Sequence, residues 1–131
     1  MVNTNKKTVR LADTFDVTTS YQNIEQPADL GAVHAHGGQV VLTFKRTGGT
    51  SIIFKVQELF SYQEAGVEAV GYTTRQRVDG LGTGLEEIEL TETDTEFTYA
   101  FPTLADKVRV QVKGGDGNEV LDLLMTVGQI M

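Results

Sequence analysis

The chain has 131 residues, a net charge of -7 and no cysteine, with 40% hydrophobic and 22% charged residues. This length suits one domain and this composition predicts a folded chain, while the lack of cysteine excludes disulfide frameworks, cysteine–zinc sites and thiol nucleophiles. No apolar run approaches the roughly 20 residues of a membrane helix, so we expect a soluble protein made inside the cell, with no membrane partner.

The first dozen residues are polar and include Lys6, Lys7 and Arg10. They offer few apolar side chains for burial, so the sequence predicts an extended N-terminal arm over residues 1–13 and a single domain over residues 14–131. Chain termini are usually disordered unless other groups hold them. We therefore expect an ordered arm to contact a neighbouring molecule and to contribute little to the fold.

Two pairs of segments alternate apolar and polar residues, as strands with one buried face do. The pairs are residues 39–46 with 52–57, joined by residues 47–50, and residues 107–113 with 120–127, joined by residues 114–118. Both connections contain glycines, which adopt the positive φ of tight turns. The sequence therefore predicts two β-hairpins.

Weaker strand candidates, rich in β-branched and aromatic residues, are residues 15–21, 32–35, 70–78, 86–90 and 97–101. No stretch has a sustained helical stripe of apolar residues. Residues 57–65 come nearest, but Phe54, Val56 and Glu58 continue one alternation, so we expect a strand there. Eight or nine short strands predict an all-β fold, an antiparallel β-sandwich of the jelly-roll or immunoglobulin-like kind.

The apolar positions of these segments are the predicted core, enough for one layer about 10 Å thick. They are Val40, Leu42, Phe44, Ile52, Phe54, Val56, Tyr72, Ile88, Leu90, Phe97, Tyr99, Phe101, Val108, Val110, Val112, Leu121, Leu123 and Met125.

His34 and His36 are the two histidines of the chain and have the spacing of ligands on one face of a strand. A zinc site needs a third protein ligand, and none is evident. Because Gly37 and Gly38 follow at once, we expect surface histidines at a loop.

The stretch from Asp79 to Glu96 carries seven acids and no base: Asp79, Glu86, Glu87, Glu89, Glu92, Asp94 and Glu96. Calcium binding or a catalytic carboxylate pair are the functional alternatives. The stretch has no calcium-loop pattern and the chain has no tryptophan for a sugar platform. Charged side chains also protect sheet edges from aggregation, so we expect a solvated acidic edge.

Other motifs give no site. The segment Gly115-Asp116-Gly117-Asn118-Glu119 matches only part of a calcium loop, and residues 80–84 lack the lysine of a phosphate-binding loop. The bases do not form the clustered surface that nucleic acids need. We therefore assign no catalytic, cofactor-binding or metal-binding residues, and expect no cofactor and no nucleic-acid partner.

A resemblance to a known family rests on the order of three segments. These are Val40-Val41-Leu42-Thr43-Phe44-Lys45-Arg46-Thr47-Gly48-Gly49-Thr50-Ser51-Ile52-Ile53-Phe54-Lys55-Val56-Gln57-Glu58, then Phe97-Thr98-Tyr99-Ala100-Phe101-Pro102, then Lys107-Val108-Arg109-Val110-Gln111-Val112-Lys113-Gly114. Over residues 38–127 this order resembles the small all-β virion proteins of tailed bacteriophages, such as capsid decoration and tail-associated modules.

The resemblance implies a non-enzymatic structural protein of the virion, made in the host cytoplasm. Its implied partners are other copies of itself and a major capsid or tail protein. Such a protein binds a repeated surface many times, so modest contacts suffice. A ligand-binding β-sandwich module, for carbohydrate or calcium, is the alternative.

Overall fold

The computed structural model describes residues 4–25, 38–75, 77–78, 84–103, 105 and 107–130. Their strands are β1 Thr4–Asp16, β2 Gln22–Glu25, β3 Gly38–Thr47, β4 Ile52–Glu64, β5 Val67–Thr74, β6 Arg77–Val78, β7 Gly84–Leu85, β8 Ile88–Leu90, β9 Glu96–Thr103, β10 Lys107–Gly114 and β11 Val120–Ile130. Within these ranges no residue is helical, and no helix suited to crossing a membrane is present.

Nine of these strands form two antiparallel sheets. The first sheet has the order β1-β11-β3-β9, and the second has the order β2-β10-β4-β5, with β8 paired to the start of β4. Strands β6 and β7 pair with each other in a short separate ribbon. The apolar faces of the two sheets share one core, so the predicted all-β sandwich is confirmed.

The connectivity distinguishes the two kinds of sandwich that the sequence left open. From β1 to β4 each strand lies in the opposite sheet to the one before it, and the same holds from β8 to β11. Immunoglobulin sandwiches instead keep several consecutive strands in one sheet as hairpins. Successive crossing between sheets is the connectivity of a jelly roll.

Both predicted hairpins are wrong for this reason. Strands β3 and β4 do not pair with each other but lie in opposite sheets, and so do β10 and β11. Phe44 of β3 stacks on Phe54 of β4 across the core, with ring centroids 4.2 Å apart. The alternation identifies which side chains are buried, and it is the same whether two strands share a sheet or face each other.

A hairpin does join β4 to β5, where the sequence predicts a strand that ends at Ala65 and Gly66. Both residues have positive φ, 52° for Ala65 and 81° for Gly66, which is the geometry of a two-residue type I′ turn. Strand β4 continues to Glu64. The prediction that this segment is a strand and not a helix is therefore confirmed.

The predicted core is confirmed except at three positions. Phe97 and Tyr99 are only partly buried against the core, and the side chain of Tyr72 lies outside the described part of the structure. Ala12, Val17, Ile24 and Val127 are additional buried residues at the ends of the predicted segments.

The structure corrects the place of the N-terminal segment. Residues 4–13 are extended, but they belong to β1, which crosses residue 13 and pairs with β11 from Thr4 to Asp16. Two shifts of register between Arg10 and Phe15 bend the strand, and Ala12 enters the core. Paired backbone groups hold this segment, so its polar side chains did not indicate a free arm.

Candidate functional site

Glu119 lies at one end of the sandwich, between the turn after β3 and the turn after β10, and is 1% exposed. Its Oε1 accepts a hydrogen bond from the Gly117 N–H at 2.9 Å. Its Oε2 accepts from the N–H groups of Thr50 at 2.7 Å, Ser51 at 3.3 Å, Gly115 at 3.1 Å and Asp116 at 3.1 Å, and from the Thr50 hydroxyl at 3.3 Å. One carboxylate therefore joins both turns.

Burial alone would raise the pKa of the Glu119 carboxyl, but the backbone N–H donors of Thr50, Asp116 and Ser51 favour the charged form more strongly and lower this pKa to about 2. The carboxylate is therefore charged at neutral pH. N–H donors approach both of its oxygens, and the positive ends of such dipoles repel a cation. The partial calcium-loop motif thus uses its glutamate to hold two turns.

Backbone hydrogen bonds bring a third segment to this end of the sandwich. The Val17 N–H donates to the Glu119 carbonyl at 3.0 Å, and the Gly114 N–H donates to the Thr18 carbonyl at 2.7 Å. The segment after β1 is therefore bound to the end of β10 and to the turn that follows it.

Two glycines leave the space that the Glu119 side chain occupies. A Cβ at Gly49 would lie 2.4 Å from Glu119 Cδ, and a Cβ at Gly114 would lie 2.1 Å from Glu119 Oε1. Gly49 also has a φ of 65°, a conformation that side-chain-bearing residues rarely adopt. Glycine at these two positions thus leaves room for the buried carboxylate.

Arg46 binds the turn after β3 through the carbonyl oxygens of that turn. It is 5% exposed, and its Nη1 donates to the carbonyl oxygens of Gly48 and Gly49. Its Nη2 donates to the Thr91 carbonyl at 2.7 Å. Arg46 thereby connects this turn to the loop between β8 and β9.

Glu58 is the third buried charge and lies near the other end of the core. Arg75 Nη1 is 3.3 Å from Glu58 Oε1, and the Thr103 hydroxyl donates to Glu58 Oε2. The Arg75 guanidinium also lies 4.7 Å from the centroid of the Phe101 ring. The ion pair itself connects β4 to the end of β5 in the second sheet, and its contacts with Thr103 and Phe101 of β9 join the two sheets.

These three charges were missed as structural residues, although the sequence contains a signal for them. Arg46 has the parity of Val40, Leu42 and Phe44, Glu58 that of Ile52, Phe54 and Val56, and Glu119 that of Leu121, Leu123 and Met125. A charge at an inward position of an alternating strand is a candidate for a buried group that binds other parts of its own chain. All three side chains stabilise the fold.

On the outer side of the second sheet, two ammonium groups lie near one aromatic ring. Lys55 Nζ is 4.6 Å and Lys113 Nζ is 4.7 Å from the Tyr21 ring centroid. Glu87 accepts a hydrogen bond from the Tyr21 hydroxyl and lies 3.6 Å from Lys113 Nζ. The Tyr21 hydrogen bond lowers the pKa of Glu87, whereas burial and Glu87 raise that of Tyr21. Glu87 offsets one of the two positive charges of this cluster.

The predicted acidic edge is exposed where the structure describes it. Glu86, Glu87 and Glu89 lie next to the second sheet, and all residues from Thr91 to Glu96 are exposed. Glu96 begins β9, the last strand of the first sheet. Asp79 lies outside the described residues.

The two edges of the first sheet differ in charge. Strand β1 forms one edge and carries Lys6, Lys7 and Arg10 in its first half, and β9 forms the other edge, next to Glu92, Asp94 and Glu96. Among the residues that the structure describes, β1 pairs with β11 alone and β9 with β3 alone. Each edge therefore has backbone groups able to bind another strand.

The remaining predicted positions are not in the described ranges. His34 and His36 lie in residues 26–37, and residues 80–83 of the glycine-rich segment are also outside. Within the described ranges, no three His, Cys, Asp or Glu side chains come close enough to hold a metal ion.

No protein-family model and no curated protein matches the chain. Among solved structures, the chain is similar to a protein of Bacillus endospore appendages, which form disulfide-linked pili. The identity is 13%, the match covers 99% of this chain and 88% of that chain, and the TM-score is 0.47. It is also similar to a chain of infectious bursal disease virus strain Gx, with 12% identity, 97% and 32% covered, and a TM-score of 0.40.

A third similar structure is a family 16 carbohydrate-binding module, with 17% identity, 88% of this chain and 71% of that chain covered, and a TM-score of 0.37. At this distance none of the three assigns a function to the chain.

Proposed function

We propose that this protein is a non-enzymatic structural subunit of a virion, of the capsid decoration or tail-associated kind found in tailed bacteriophages. Its partners are other copies of itself and a major capsid or tail protein, and its place is the virion, assembled in the host cytoplasm. The sequence resemblance over residues 38–127 supports the virion assignment.

The observation that carries the proposal is the contrast between the interior and the edges of the first sheet. Inside, Glu119, Arg46 and Glu58 bind turns and strands of their own chain, and this makes a rigid module. Outside, the edge strands β1 and β9 have no second strand beside them in the part of the chain that the structure describes, and the segments at these edges carry opposite charges. A rigid module with complementary edges is suited to repeated contacts, each of which needs only modest affinity.

The test is a fractionation of particles from cells that produce the protein. Particles are purified on a density gradient, and the chain is quantified by mass spectrometry against the most abundant particle protein. We expect the chain to sediment with the particles at a fixed molar ratio that survives a second gradient. Recovery of the chain solely from the soluble fraction would refute a virion role.

A further inference from the structure

We infer that copies of this chain bind one another head to tail, with the first half of β1 of one copy pairing antiparallel to the beginning of β9 of the next copy. The inference rests on the proposed structural role and names its contact surface. Its basis is the position of charges, strand directions and irregularities on the two edges of the first sheet.

The strand directions permit such a contact. The first sheet has four strands in the order β1-β11-β3-β9, and each neighbouring pair is antiparallel. Strands β1 and β9 therefore run in opposite directions. A second copy in the same orientation places its β1 antiparallel to β9 of the first copy, so the contact continues the sheet and adds a strand in the manner of β-augmentation.

The charges select the register of the contact. Glu96 pairs with Lys45, Lys45 pairs with Asp122, and Asp122 accepts the Thr14 N–H. Without a shift, Glu96 would thus lie level with Thr14 of the next copy, between Asp13 and Asp16. A shift of eight residues, about 26 Å at the usual rise of a strand, brings Lys6 opposite Glu96 instead, and both positions then lie on the outer face of the sheet, as Arg10 and Lys45 do.

The charges in this shifted register are complementary. Lys6 and Arg10 of one copy then lie level with Glu96 and Glu92 of the other, and Lys7 and Asp94 are their neighbours in the two segments. Arg10 and the residues from Thr91 to Glu96 are exposed, and Arg10 has one long ion pair with Asp122, at 3.8 Å. Opposite charges at an interface favour this register and oppose the unshifted one.

The same register avoids the irregular parts of both edges. Strand β1 pairs regularly from Thr4 to Arg10 and shifts register beyond Arg10. On β9, Pro102 lacks an N–H and its carbonyl accepts from Arg75 Nη1 at 3.4 Å, which obstructs that end. Residues 4–6 facing residues 96–98 use the regular segment of each strand. Because the two edges differ, the contact repeats and gives rings or filaments.

Charge-reversed variants test the inference by sedimentation velocity at about 0.02 M and about 0.5 M salt. One variant is Lys6→Glu with Lys7→Glu, and the other is Glu92→Lys with Glu96→Lys. The matched control is Glu86→Lys with Glu89→Lys, which changes the net charge equally in the same acidic stretch but beside the second sheet. Circular dichroism verifies that each variant is folded.

We expect the wild type and the control to self-associate at low salt and to dissociate at high salt. Each charge-reversed variant alone should self-associate at least about tenfold more weakly than the wild type. An equal mixture of the two variants should associate again, because one variant supplies acidic β1 strands and the other supplies basic β9 edges. If the variant Glu92→Lys with Glu96→Lys does not fold, the neutral variant Glu92→Gln with Glu96→Gln takes its place and should also weaken self-association.

Association of the reversed variants at wild-type strength, a mixture that stays monomeric, or a wild type that is monomeric throughout would each overturn the head-to-tail contact. The virion role is decided separately, because particle fractionation does not depend on how the copies meet.

Discussion

At the residue scale, three buried charges explain how a small cysteine-free chain holds its turns and sheets together. Glu119 and Arg46 both bind the turn after β3. Glu119 accepts hydrogen bonds from N–H groups of the turn, and Arg46 donates hydrogen bonds to its carbonyl oxygens. A buried charge without partners would cost several kcal/mol. Since Glu119 and Arg46 both bind backbone groups of the loops, removal of either side chain leaves these backbone groups without the partners that hold the loops in place.

Glu119 should make the free energy of unfolding depend on pH. Its pKa is lowered from 4.5 to about 2 by the backbone donors, so its contribution is complete above pH 4.5 and is lost as the pH falls toward 2. The shift corresponds to roughly 3 kcal/mol. Urea unfolding should show Glu119→Gln destabilised by about that amount at pH 7 and less affected at pH 2.5, while Glu86→Gln follows the wild type. Equal effects of the two substitutions at pH 7 would contradict this role.

The space around Glu119 gives a second prediction, which separates crowding from backbone strain. Gly114→Ala should destabilise the protein by more than about 3 kcal/mol, since its Cβ would overlap Oε1 and displace a buried carboxylate. Gly66→Ala is the control, because it has a φ of 81° but no atom within 4 Å of its Cβ; it should cost about 1–2 kcal/mol. Thermal melting that ranks the two in the opposite order would refute the packing account.

At the element scale, alternation predicted the buried faces well and the pairing poorly. Val40, Ile52 and Val110 are buried as predicted, because period two depends on local geometry alone. Which strand lies beside which depends on long-range contacts, and a turn such as residues 47–50 serves equally to form a hairpin or to cross between sheets. The buried site was missed because charged residues are usually exposed, even though Arg46, Glu58 and Glu119 share the parity of buried apolar residues.

Strand β1 illustrates the same limit and yields a prediction. Its first half is polar, yet β11 binds its backbone from Thr4 onward, and Ala12 contributes to the core. Deletion of residues 1–13 would leave β11 with an open edge and expose buried residues such as Met125 and Val127. We expect the truncated chain to unfold or aggregate at 25 °C in circular dichroism and light scattering.

The control for this deletion is Lys6→Gln with Lys7→Gln, which removes the bases and keeps the strand. It should melt within a few degrees of the wild type, because surface substitutions usually change stability by less than about 0.5 kcal/mol. A truncated chain as stable as this control would show that residues 1–13 form a dispensable arm and that residues 14–131 are an independent domain.

At the scale of the whole molecule, the uneven placement of charge is more informative than the net charge of -7. Acids beside the second sheet are partly neutralised, as Glu87 is by Lys113. The acids next to β9 and the bases of β1 lie at opposite edges of the first sheet. This placement makes the two edges of the sheet complementary in charge, as the proposed head-to-tail contact requires.

Hydrogen–deuterium exchange of the wild-type chain at low and at high protein concentration tests the central claim most directly, since added strand pairing slows exchange of the backbone amides involved. The account predicts that residues 4–10 and 96–100 gain protection at high concentration and lose it again in high salt. The hairpin turn at Ala65 and Gly66 and the Glu119-bound segment 115–118 should exchange equally at both concentrations. Protection confined to other surfaces, or no change in residues 4–10 and 96–100 while the protein associates, would contradict assembly through these two edges.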